Sequence, residues 1–177
     1  MRKETESHDG RFERIVAQFG KPIWRLTAGY QAQRADREDL YQEILVALWR
    51  ALPRFRGDCS ERTFVYRVAH NRGITHRARA RRRAGRSLDE IGHRPDPRPG
   101  PEAAAMAADR RERLMEAIRQ LPLPRRQVVM LSLEDLRQRE IADTLGITEN
   151  NVAVRLARAR SDLRRLLSHA ELSRANA

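Results

Sequence analysis

Residues 39–86 read DLYQEILVALWRALPRFRGDCSERTFVYRVAHNRGITHRARARRRAGR, and this stretch decides the fold class. Its first part repeats Leu40, Ile44, Leu48 and Leu52 every four residues, the spacing that lines side chains along one face of an α-helix. Tyr41, Leu45 and Trp49 form a second apolar row beside the first. A helix apolar across two rows is either fully buried or meets a partner, and the residues leave these readings level. Asp36 is expected to cap the helix, with Glu38 and Asp39 in its first turn, where the helix dipole favours negative charge. Pro53 marks its end.

The second part is basic. From Arg62 through Arg86 there are nine arginines and no acid. Arginine supplies almost all the basic residues of this chain, as a coding bias would make it, but the distribution is uneven. Residues 1–61 carry +1, residues 62–86 carry +9 and residues 87–177 carry +2, so one short segment holds most of the formal +12. Phe64 and Tyr66 open this segment, and aromatic rings beside cationic side chains suit stacking on unpaired bases. A solvated basic face would carry the same arginines, but nucleic acid is the better match.

Outward toward the N-terminus, residues 1–10 are polar and expected to be disordered. Phe12, Ile15, Val16 and Phe19 mark a helical face that Ile23, Leu26 and Tyr30 continue; Gly20 and Pro22 between them predict a kink or a break. With a loop at Gly57 to Ser60 and a basic helix over 61–83, residues 11–83 form one small helical domain, of a size that can fold alone.

Outward toward the C-terminus, prolines at 95, 97, 99 and 101 make residues 84–101 a flexible linker. Ser87 to Glu90 could form one capped turn within it. About fifteen such residues span at most roughly 50 Å, enough for two domains to reach separate sites on one duplex. A second domain covers 102–170. Leu114, Ala117, Ile118 and Leu121 form the inner face of its first helix, Pro122 and Pro124 separate that helix from the next, and Val128, Val129, Leu131 and Leu136 follow. Ile141, Ala142 and Leu145, then Gly146 at a tight turn, Thr148 as a cap and the stripe Val152, Leu156, Ala159, Leu163 and Leu166 together describe a helix-turn-helix. The fold class is therefore all-α: two small helical domains, a proline-rich linker, and a C-terminal helix-turn-helix.

Helical geometry sets the outer face of the last helix. Opposite the buried stripe, Asn150, Val154, Ala157 and Ser161 run along the middle, flanked by Arg158 and Arg165 on one side and Arg160 and Arg164 on the other. Asn150 can pair bidentately with adenine, Val154 and Ala157 can meet a thymine methyl, and Arg158 can reach a guanine.

Several classes find no support. No run approaches the ~20 apolar residues of a membrane span, and residues 1–10 lack the apolar centre of a signal peptide, so a cytoplasmic protein without membrane insertion is expected. The single cysteine, Cys59, has no internal partner, which suits a reducing compartment. Cys59 and the histidines at 8, 70, 76, 93 and 169 show no metal-ligand spacing, and there is no phosphate-cradling glycine loop or nucleophile motif. Asp39 and Glu43 lie one turn apart but read as surface charges. Neither an enzyme nor a cofactor is expected. These features suit a stand-alone helix-turn-helix repressor, dimerising through its first domain, as well as a DNA-binding factor that docks on a protein partner; arginine content alone would suit a nonspecific RNA-binding protein.

The motifs DLYQEILVALW, RALPRFRG, RTFVYRVAHN, LPLPRRQVVML and EIADTLGIT followed by NVAVRLARAR narrow this choice. With them the chain resembles a bacterial RNA polymerase sigma factor of the extracytoplasmic-function group, the short kind that has only the second and fourth sigma regions. The resemblance spans residues 11–83 and 110–168.

The resemblance implies partners and roles. Core RNA polymerase would be engaged through the clamp helices of its largest subunit, by Asp39, Leu40, Tyr41, Gln42, Glu43, Leu45, Leu48 and Trp49, and through the flap of its second-largest subunit. Promoter DNA would be melted at the upstream bubble edge by Arg56, Gly57, Asp58, Ser60, Arg62, Phe64, Tyr66, Arg67, His70 and Asn71, with a flipped base held by the loop at 57–61 and the helix after it. Flipping costs a few kcal/mol, which hydrogen bonds to the extruded base edge can offset. Asn150, Asn151, Ala153, Val154, Arg155, Ala157 and Arg158 would read the upstream promoter element, and an anti-sigma protein would hold the factor inactive. Three departures from the family pattern stand out: Phe64 replaces a common tryptophan, Glu61 a common apolar residue, and Asn150, Asn151, Ala153 and Val154 the usual small and basic ones. Base preference and target sequence therefore do not carry over.

Overall fold

The computed structural model describes residues 7–84 and 102–175, and all its regular elements are helical. The helices are α1 (His8–Thr27), α2 (Arg34–Ala51), α3 (Glu61–Ala84), α4 (Glu102–Gln120), α5 (Leu123–Ser132), α6 (Gln138–Leu145) and α7 (Glu149–Ala175); a 3-10 turn at Leu52–Arg54 carries Pro53. The expected linker lies almost wholly outside the described residues, as does the turn at 87–90.

Helix α1 differs from expectation at two points. It starts at His8, capped by Ser7, whose Oγ accepts from the Gly10 amide at 3.0 Å, so residues 8–10 are helical rather than disordered. It also runs unbroken through Pro22. A mid-helix proline costs ~3 kcal/mol, but Ile15, Phe19, Ile23 and Leu26 are all buried along the inner face, and each such side chain contributes ~1.5–3 kcal/mol. Burial outweighs the lost hydrogen bond.

Helix α2 starts after Gln33, which makes no side-chain cap; Asp36 sits in the first turn instead of capping, where its charge still opposes the helix dipole. Leu40, Ile44, Leu48 and Leu52 are buried against α1 and α3, so the four-residue spacing did mark the core row. On α3 the buried residues Val65, Tyr66, Ala69, His70 and Gly73 share one face of the helix.

In the C-terminal half, Ile118, Leu121, Val128, Met130, Leu131, Ile141, Val152 and Ala159 make the core. Gly146 adopts the left-handed conformation (φ 66°) that closes the turn between α6 and α7, as the helix-turn-helix reading requires. The Thr148 side chain accepts from the Asn151 amide at 3.2 Å and starts α7. The two halves pack on each other, with α3 against α6 and the α1–α2 corner against α5.

Candidate nucleic-acid and protein interfaces

The outer surface of α2 is the first candidate. Of the residues expected to meet the polymerase, Leu40 and Leu48 are core residues with no exposed surface. Tyr41 and Leu45 are half-buried, and Tyr41 stands edge-on to Trp24, ring centroids 5.7 Å apart. Trp49 is 38% exposed although Phe12 and His8 pack beside its ring. Glu43 turns toward α3, where its carboxylate faces His76 at 3.3 Å, Arg72 at 3.8 Å and Arg79 at 3.9 Å. The open face is Asp39, Gln42, Val46 and Trp49. Val46, 47% exposed, was missed in the sequence. Its distance of seven from Asp39 and three from Trp49 was the available signal.

The loop after α2 and the start of α3 form the second candidate. Gly57 takes a positive φ of 84°, which turns the chain between Arg56 and Asp58. Ser60 caps α3, accepting from the Thr63 amide at 3.0 Å. Phe64 stacks on Phe55 with centroids 4.5 Å apart, and the Arg11 guanidinium covers Phe55 at 5.0 Å. The Glu61 carboxylate is held by Arg14 and Arg11 of α1, and the Arg14 hydrogen bond leads the effects that keep it below the usual carboxylate range.

Arg56, Gly57, Asp58, Ser60, Arg67 and Asn71 are exposed there, and Arg62 is partly so. Tyr66 and His70 are not. Both were expected at the DNA edge, and both are buried, at 2% and 1% exposure. His70 Nδ1 and the Tyr30 hydroxyl share a hydrogen bond of 2.5 Å, and burial pushes the histidine's pKa down to about 3, so it is a neutral core histidine. Burial likewise pushes the Tyr66 phenol up to about 12.

The third candidate is α7. Asn150, Asn151, Val154, Ala157, Arg158 and Ser161 are exposed along one face, while Ala153 and Arg155 are half-buried at its edges. Val154 is 41% exposed. Arg164 and Arg165 lie open beside the line, and Arg165 comes within 3.7 Å of Asp162.

A cleft of about 610 Å³ lies between the second candidate and α6, lined by Asp58, Cys59, Arg67, Gln138, Glu140 and Glu149 among others. Arg67 donates across it to the Asp143 carbonyl at 2.6 Å, and Arg62 to the Glu134 carbonyl at 2.5 Å. Among the described residues no group of His, Cys, Asp and Glu could hold a metal ion, and no helix is long and apolar enough to cross a membrane.

The Sigma-70 region 2 family model matches residues 15–83, and the Sigma-70 region 4 family model matches residues 111–163. The chain is 31% identical over 134 residues to the ECF RNA polymerase sigma factor ShbA of Streptomyces griseus, covering 73% of this chain and 70% of the relative. This chain belongs to the ECF RNA polymerase sigma factors. It is also 25% identical to the RNA polymerase sigma factor NccH of Alcaligenes xylosoxydans, over 97% of this chain and 94% of that one. Its fold resembles the sigma factor RpoE of Bartonella quintana, solved with the anti-sigma factor NepR, at a TM-score of 0.73 and 16% identity, covering 89% of this chain and 97% of the other. The sigma factor binds core RNA polymerase and directs promoter recognition, melting and initiation. A stand-alone repressor is set aside.

Proposed function

We propose that the sigma factor divides its work among the three surfaces. The open face of α2, with Asp39, Gln42, Val46 and Trp49, docks on the clamp helices of the largest polymerase subunit. Half-buried Tyr41 and Leu45 shape that face; Leu40 and Leu48 support it from the core. The loop at 56–60 with Arg62, Phe64, Arg67 and Asn71 holds the upstream edge of the melted promoter. The outer face of α7 reads the upstream element, and the second half also meets the polymerase flap. The two halves act as separate domains, 11–83 and 102–170, on a cytoplasmic protein that is not itself an enzyme and that an anti-sigma protein restrains.

One observation carries this reading: α2 leaves apolar surface outside a core it otherwise completes. Val46 and Trp49 are 47% and 38% exposed while Leu40, Ile44 and Leu48 are at most 1% exposed. Such a face in a short chain suits a protein partner. Val46→Arg is expected to abolish binding to core polymerase with helicity retained, because an unpaired charge buried at an interface costs several kcal/mol. Circular dichroism and co-elution with core polymerase test this; full binding by the folded variant would remove α2's open face from the polymerase interface.

A further inference from the structure

Among the described residues, arginines donate a set of hydrogen bonds and ion pairs that join the two halves, Arg62 to Glu140 at 3.7 Å among them. Arg62 and Arg67 on α3 donate to the carbonyls of Glu134 and Asp143, just past the end of α5 and in the last turn of α6. In the other direction, Arg119 and Arg126 donate to the carbonyls of Ala28 and Gly29, just past the end of α1, both at 3.3 Å. Helix C-termini carry unpaired carbonyls and the negative end of the helix dipole. To a guanidinium they offer what a phosphate offers, oxygen acceptors in a negative field.

The junction also has a pin and a close approach. Arg25 on α1 grips the Glu134 carboxylate with two bonds, at 2.9 and 2.5 Å, and that carboxylate is only 3% exposed. Gly29 stands so near α5 that a Cβ on it would lie 2.7 Å from Met130. Such a fit needs the halves to be seated closely.

We infer that the α3 surface bearing Arg62 and Arg67 has a second ligand besides DNA, namely the chain's own helix-turn-helix half. The α5 and α6 carbonyl ends occupy the donors that would otherwise hold the melted strand. The free sigma factor therefore holds these two arginines of its melting surface engaged, while Asp58 and Asn71 beside them and Asn150, Val154 and Ala157 on α7 stay open. Releasing the pin exposes Arg62 and Arg67 together. This rests on the assignment of those two arginines to DNA.

The test uses the full chain and a short fluorescein-labelled single strand of mixed sequence. Arg25→Glu sets two carboxylates against each other at the pin, and Gly29→Ala spreads the same joint without changing charge. Small-angle scattering should show a larger radius of gyration for both, and fluorescence anisotropy an affinity for the strand raised about tenfold, as for a binding-competent state populated at roughly a tenth in the wild type. The swapped pair Arg25→Glu with Glu134→Arg should return both readings toward wild type.

An unchanged radius in both variants overturns the inference. So does a larger radius with no gain in affinity, provided Arg67→Ala in the opened chain still weakens binding. If Arg67→Ala has no effect in the opened chain, the DNA assignment fails and the masking fails with it. Loss of helicity in both variants would mean that Gly29 and Glu134 belong to one indivisible core, and would also overturn the inference.

Discussion

Helices α3 and α7 are both rich in arginine, yet they hold those side chains differently. On α3, Arg62 and Arg67 reach the other half of the chain, and Arg72 and Arg79 stand within 4 Å of Glu43. On α7, a line of small and amide side chains is left open, with the arginines set to its flanks. A helix that must recognise a groove needs small residues in the middle so that its backbone can approach. A helix that must hold a strand pulled from the duplex needs charge, a ring and an amide at one edge, and its charge can be engaged elsewhere until the strand arrives.

The largest effect that would sharpen this contrast is on α3. Asn71 is exposed beside Arg67, one turn farther along the helix. Asn71→Ala should sharply reduce opening of duplex promoters and leave transcription from a premelted bubble nearly intact, since base flipping costs a few kcal/mol that an amide can help offset. Potassium permanganate footprinting with the two templates would show it, and equal loss on both would break the assignment.

Next comes α7. Asn150→Ala should cost roughly 1–3 kcal/mol at a single base position and relax specificity there, whereas Arg164→Ala should weaken all upstream sequences alike. Binding assays over single-base promoter variants separate these outcomes. Uniform weakening by Asn150→Ala would make the asparagine a backbone contact and erase the contrast with the arginines.

The smallest effect is electrostatic and common to both helices. Replacing Arg79 and Arg82 with glutamine should lower the log-log salt slope of holoenzyme binding by up to ~2, at slightly under one unit per phosphate contact. Arg160 and Arg164 replaced together should do the same from the α7 side. A slope unchanged by the α3 pair would remove Arg79 and Arg82 from the phosphate contacts.

The parts of this structure that were legible in the sequence are those governed by local period. The core row of α2 and the glycine, cap and stripe of the helix-turn-helix each follow from spacing along one helix, and the structure has them in those roles. What was not legible depends on partners far along the chain. His70 sits in an arginine-rich helix and reads as polar, but Tyr30, forty residues earlier, gives it a buried hydrogen bond. Its neighbours Val65, Tyr66, Ala69 and Gly73 did carry a helical apolar period that the arginines between them obscured. Glu43 looked like a surface charge because its cationic partners lie a turn or more beyond the next loop. Pro22 looked like a break because the local cost is visible in sequence and the compensating burial is not.

Arg126 has a consequence for how the molecule comes apart. The residue is 2% exposed and, among the described residues, pairs with no carboxylate; its guanidinium donates to the carbonyls of Arg119 and of Leu121 (2.9 Å) at the end of α4, and to that of Gly29 beyond the end of α1. Burial draws its pKa down to about 10, still far above neutrality, so the charge stays. One side chain therefore serves as the terminus of two helices from different halves, and neither helix can fray there without stranding a buried cation. Arg126→Ala should accordingly lower the calorimetric melting of both halves; a variant that shifts the melting of the C-terminal half alone would show that the side chain secures only the α4 end.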